Sequence, residues 1–143
     1  MSVPDVQTGS PAPEHFTLIH LDGPQADLPG LLKSEAAKAA AQGRRLFVEF
    51  YADWCGPCKR LASHLADPRM VDALDGTYIV KLNSDDWKWP ATEAGFALNG
   101  IPAFFEIAAD GRPTGRTING GAWEEDTPEN MAPPLKAFFS GRV

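Results

Sequence analysis

Cysteine is scarce in this sequence, which holds only Cys55 and Cys58 in 143 residues. A disulfide-stapled scaffold needs more of them, and a four-ligand zinc site needs partners that the scattered His15, His20 and His64 do not supply. No metal or cofactor is therefore expected. Basic clusters are missing too. The net charge is −6 and no run of cations exceeds Arg44-Arg45, which argues against nucleic acid or an anionic membrane as partner. No apolar run approaches the roughly 20 residues that cross a bilayer, so no membrane insertion is expected. The N-terminus lacks the charged start and apolar core of a secretory signal. The expectation is a cytoplasmic chain, or a periplasmic one if a signal sequence has been removed. The rest is ordinary: 43% hydrophobic and 22% charged residues suit one globular domain with a real core. Nothing in the sequence demands more than a monomer.

Both cysteines fall in one stretch, Leu46-Phe-Val-Glu-Phe-Tyr-Ala-Asp-Trp-Cys-Gly-Pro-Cys-Lys59. An apolar run of strand character ends at Asp53-Trp54. It delivers Cys55 and Cys58 to the start of a predicted helix with Cys58, Leu61, Ala62 and Leu65 on one face. A cysteine at a helix N-terminus meets unpaired N–H groups and the positive end of the macrodipole, and both stabilise a thiolate. Gly56-Pro57 keeps the turn tight, and proline in a first turn sacrifices no hydrogen bond. The two sulfurs can reach each other. This is the pattern of a redox dithiol.

Taken in order, residues 1–14 are rich in Pro, Ser, Gly and Thr and read as a disordered lead-in. Phe16 to Leu21 suggests a short strand. A helix follows Asp27, with Leu28, Leu32, Ala36 and Ala39 at helical spacing and Gly43 ending it. After the cysteine helix, Asp67 caps a short helix beginning at Pro68, with Val71 and Leu74 inward and Gly76 closing it. Thr77 to Leu82 reads as a strand. Residues 85–90 read as a loop leading into a helix around 91–98. Ala103 to Ala108 and Thr114 to Ile118 flank Asp110-Gly111 as a hairpin. Residues 121–132 are acidic and read as a loop, and Pro133-Pro134 opens a last helix over 133–140. Alternation of strand and helix signals that gives way to a hairpin means α/β with a mixed sheet.

Trp54-Cys-Gly-Pro-Cys-Lys59 after a hydrophobic strand resembles the active site of the thioredoxin family. Lys81-Leu82-Asn83 with Asp85, then Gly100-Ile101-Pro102, Asp110-Gly111 and Gly120, fall where that family places matching features. The similarity covers roughly residues 44–120 plus the final helix. The alanine-rich helix before the central strand, Tyr51 to Cys55, and Asp67-Pro68 are more similar to the C-terminal domain of the bacterial transmembrane thiol-disulfide interchange protein and its soluble relatives. The resemblance implies a thioredoxin fold over residues 15–143, a central mixed β-sheet flanked by helices.

It also implies roles. Cys55 is expected as the nucleophile that forms a mixed disulfide, and Cys58 as the residue that resolves it. Glu49, a lone carboxylate in an apolar strand, is expected to be buried and to relay a proton with Cys58. The family usually carries Asp there. Lys81 falls where the family places a lysine that tunes this acid. Ile101-Pro102 is expected to be cis, to pack against the cysteines and to offer Ile101 backbone groups to an extended substrate. Trp54, Gly56, Pro57 and Gly120 complete the expected substrate surface, while Trp87, Trp89 and Trp123 have no obvious counterparts.

The function implied is dithiol–disulfide exchange that chiefly reduces protein disulfides. Its partners would be disulfide-containing protein substrates and an upstream redox protein. Three alternatives stay open at this point: a dedicated electron relay or an oxidising or isomerising protein with one partner, a non-catalytic binding module, and a thiol peroxidase.

Overall fold

The computed structural model describes residues 15–25 and 27–141; the expected lead-in over 1–14 lies outside them. The central apolar run forms β2 (Arg45–Tyr51), whose residues 46–50 are all buried. A strand covered on both faces has no need to alternate apolar with polar, which is why the run reads as continuous. On one side it pairs in parallel with β3 (Thr77–Asn83), and β3 pairs in parallel with β1 (Thr17–His20). On the other it pairs antiparallel with β4 (Ala103–Ile107), which forms a hairpin with β5 (Pro113–Asn119). The sheet is mixed, in the order β1-β3-β2-β4-β5. The expected α/β architecture is what the chain adopts.

Alternate residues divide the core in two. Leu46, Val48, Phe50, Val80 and Leu82 pack with α1 (Leu28–Ala41) and α4 (Ser84–Glu93). Phe47, Ile79 and Phe104 pack on the opposite face with α2 (Gly56–Ser63), α3 (Pro68–Leu74) and α5 (Pro128–Phe139). Asp27 caps α1 by accepting from the Gly30 N–H at 3.1 Å, and the buried Glu35 accepts the Tyr78 hydroxyl at 2.6 Å to tie α1 to β3. In α3 the buried residues are Met70, Ala73 and Leu74, with Val71 only half-buried.

Two helices start earlier than the sequence suggests. Residues 85–90 are helical, not a loop: Asn83 caps α4 by accepting from the Asp85 N–H at 2.9 Å, and Pro90 lies inside the helix. The helix stops at Glu93, so only 91–93 of the expected 91–98 is helical. Likewise the 121–132 segment is loop only in part. Gly120–Ala122 is a 3-10 turn, Thr127 caps α5, and Pro133-Pro134 lies mid-helix instead of opening it. A mid-helix proline loses one backbone bond and crowds the preceding turn. The buried ridge of Met131, Leu135, Phe138 and Phe139, and that of Trp87 and Ala91 in α4, outweigh this.

Candidate active site

Cys55 is the N-cap of α2, and its sulfur accepts the Cys58 N–H at 3.2 Å. Gly56 and Pro57 fill the first helical positions, where no intrahelical donor is lost. The Cα atoms of Cys55 and Cys58 are 5.2 Å apart and the sulfurs are joined as a disulfide. Both cysteines are buried, 3% and 4% exposed, so burial does not distinguish the two in this oxidised form. They pack with Ala52 and against Tyr51 and Ile101.

The peptide between Ile101 and Pro102 is cis. The Ile101 carbonyl oxygen lies 3.8 Å from the Cys55 sulfur, a contact only, since a disulfide sulfur has no proton to donate. Pro102 is buried, and its carbonyl accepts the Gly120 N–H at 3.1 Å. A Cβ on Gly120 would sit 3.5 Å from the Pro102 ring. Gly120 thus braces Pro102, and its N–H is already engaged.

Beneath α2, one row of side chains crosses the sheet: His20, Lys81, Glu49, Phe104 and Ile118, each opposite the next in register. Cys58 shares its helix face with Leu61, three residues on, which packs among Phe47 and Phe104 on this same sheet face. Glu49 is 3% exposed, and its Oε2 has no hydrogen-bond partner among the described residues. Burial pushes its carboxyl up to about 7, against the opposing pull of the Lys81 ammonium. Lys81 is also buried, with its Nζ 4.5 Å above the centre of the Tyr51 ring. Burial chiefly, helped by Lys81 and opposed by Asp22, lowers the pKa of His20 at the end of the row.

Trp54 is 68% exposed, and its indole N–H donates to Asp85 Oδ2 at 3.0 Å, linking the cysteine turn to α4. This bond is not foreseeable from sequence, because its ends lie 31 residues apart. Nor is the role of Asp126 in the acidic loop. Its two carboxylate oxygens accept the Trp123 indole N–H at 2.8 Å and the Arg60 guanidinium at 3.0 Å, fastening α2 to the loop after Gly120. Of the three tryptophans without counterparts, Trp87 and Trp123 are buried and only Trp89 faces solvent, 73% exposed. Concavities of about 330 and 450 Å³ lie between α1 and β4 and between β5 and α5, with neither cysteine in their walls. No cluster of potential metal ligands occurs among the described residues.

A family model described as "Thioredoxin" matches residues 32–132. The thiol:disulfide interchange protein TxlA of Synechococcus elongatus is 36% identical over 80 residues, 56% of this chain and 41% of that one. The chloroplastic thioredoxin-like protein HCF164 of Arabidopsis thaliana is 33% identical over 81 residues, 57% of this chain and 31% of the relative. The chain thus spans less than half the length of these curated relatives. Among solved structures, the disulphide isomerase from Xylella fastidiosa Temecula1 aligns over 94% of this chain and 98% of its own, with a TM-score of 0.59. At 21% identity that likeness concerns the fold alone. A cysteine pair at this spacing, in this fold, is suited to thiol–disulfide exchange.

Proposed function

The chain belongs to the thioredoxin family, and from that premise we propose that it is an oxidoreductase that reduces disulfides in proteins. In the reduced form, the Cys55 thiolate attacks one sulfur of a substrate disulfide. A Cys55–substrate disulfide forms and the other substrate sulfur leaves as a thiolate. Cys58 then gives up its proton and attacks the Cys55 sulfur, closing the intramolecular disulfide and releasing the second substrate thiolate. Two electrons pass to the substrate, and an upstream redox protein returns them by the same exchange in reverse. The proposed reducing direction suits a reducing compartment such as the cytoplasm, and an exported, periplasmic setting is the alternative.

The observation that carries the assignment of roles is the Cys58 N–H aimed at the Cys55 sulfur at 3.2 Å across the first turn of α2. A backbone donor and the positive end of the helix favour the thiolate at Cys55 over Cys58. Glu49 supports the second step. A buried carboxyl near neutrality, with one oxygen unpartnered, can take the proton that Cys58 must lose. Burial sets the proton affinity of that carboxyl, and the Lys81 ammonium moderates it in the opposite direction. Ile101 and Pro102 lie beside the Cys55 sulfur, where a substrate backbone would run.

The test is trapping. A Cys58→Ser variant offered a disulfide-bearing protein should accumulate a covalent complex through Cys55 that thiol reagents release, and Cys55→Ser should form none. Turnover surviving in Cys55→Ser would refute the assignment.

A further inference from the structure

Trp54 and Trp89 are the two large hydrophobic side chains left exposed among the described residues, at 68% and 73%. The fold connects them. Trp54 precedes Cys55 directly and is held by Asp85 at 3.0 Å; Trp89 stands four residues beyond Asp85 on α4. Four residues place two side chains about 6 Å apart along a helix and about 40° apart around it, so Asp85 and Trp89 share a face. Trp87 points the other way, fully buried with its indole N–H on the Leu21 carbonyl at 3.0 Å, and so fixes the rotation of α4. Trp89 is therefore held outward by the burial of its neighbour, one turn along from the group that positions Trp54.

The charge around the two indoles is mostly negative. Asp53 beside Trp54, Asp85 and Asp86 in the first turn of α4, and Glu93 one turn past Trp89 are all exposed; Lys88 is the one cation on α4. An indole contributes large contact area with few rotors to freeze, and two of them inside an acidic rim suit a partner that offers apolar and basic side chains together.

We propose that Trp54 and Trp89, joined through Asp85, form one docking surface for a polypeptide partner that carries apolar and basic side chains next to its disulfide. The proposal rests on the disulfide-exchange reading and adds substrate selection to it. The chemistry is carried at Cys55 and Cys58; Trp89 chooses which disulfide arrives. Substrate lying across Ile101 and Pro102 would extend past Trp54 onto α4, with its basic residues over Asp86 and Glu93.

The experiment uses the full chain, reduced, with three substrates: a small aromatic disulfide, and two otherwise identical disulfide peptides flanked by Leu-Lys or Leu-Glu pairs. The expected result is that the Lys peptide is reduced with a higher kcat/KM than the Glu peptide. Trp89→Ala should lower kcat/KM for the Lys peptide at least about tenfold, mainly through KM, relative to the small disulfide. Trp89→Phe should restore most of it, and a Glu93→Lys, Asp86→Lys double variant should shift preference toward the Glu peptide. Equal loss on all three substrates, or no loss on the Lys peptide, would overturn the docking surface while leaving the exchange reaction standing. Failure of the unaltered protein to reduce any of the three would instead defeat the exchange reading itself.

Discussion

Glu49 is a carboxyl whose burial outweighs the support that the Lys81 ammonium gives its charge. Desolvation raises its pKa to about 7, and one of its oxygens has no donor among the described residues. The proton-relay role predicts that the pH profile of Cys58 reactivity carries an inflection near pH 7 and that Glu49→Gln removes it. Stopped-flow alkylation of Cys58 in a Cys55→Ser background checks this, and an unchanged profile would end the relay. Glu49 was legible in the sequence because a lone acid in an apolar strand has few places to go. The Trp54–Asp85 bond was not, since nothing local to either residue encodes a contact 31 positions away. The Lys81 ammonium above the Tyr51 ring and the Asp126 bridge were hidden for the same reason. Each needs the sheet order before its partner exists.

Elements marked by a continuous apolar run or by helical spacing are legible in the sequence, as β2 and β3 show for the first and α1 for the second. The errors gathered at proline. Pro90 and Pro133-Pro134 suggest helix starts, because a first turn tolerates proline without loss. Yet Asn83 with Asp85-Asp86, and Thr127 with Pro128 and Glu129, are complete start signals lying upstream. Tertiary burial of Trp87 and Met131 then carries each helix through its proline. Trp87 also governs what precedes it: a Cβ on Gly23 would fall 2.2 Å from the indole. Trp87→Ala is expected to cost about 3–5 kcal/mol in denaturant unfolding. The hairpin turn is as tightly constrained. Gly111 has φ +87° and its absent Cβ would stand 2.1 Å from the Pro29 carbonyl and 2.6 Å from the Lys33 N–H of α1. Gly111→Ala should therefore destabilise by well over about 1 kcal/mol, since neither the backbone conformation nor the helix can yield cheaply.

For the whole molecule, the buried acid makes stability depend on pH in an unusual sense. Between its ordinary value of 4.5 and about 7, Glu49 keeps its proton when folded and loses it when unfolded. The folded state then binds more protons, so stability falls as pH rises across that window, by up to about 3 kcal/mol. Unfolding of the oxidised protein at a series of pH values should show this slope, and Glu49→Gln should abolish it. Glu106 acts oppositely: although burial raises its pKa, the Thr114 hydroxyl, Arg116 and Arg45 hold it below its ordinary value. Its contribution is present above that ordinary value and is lost as acid protonates it. No helix among the described residues is long and apolar enough to cross a membrane.

The direction of electron flow is the central claim, and the equilibrium reduction potential of the Cys55–Cys58 pair tests it most directly. Measured in a defined thiol buffer, a value near the roughly −270 mV of thioredoxin would agree with a protein that reduces disulfides. A value of about −200 mV or higher would contradict it and point to an oxidising or isomerising role, with the fold and the two cysteines unchanged.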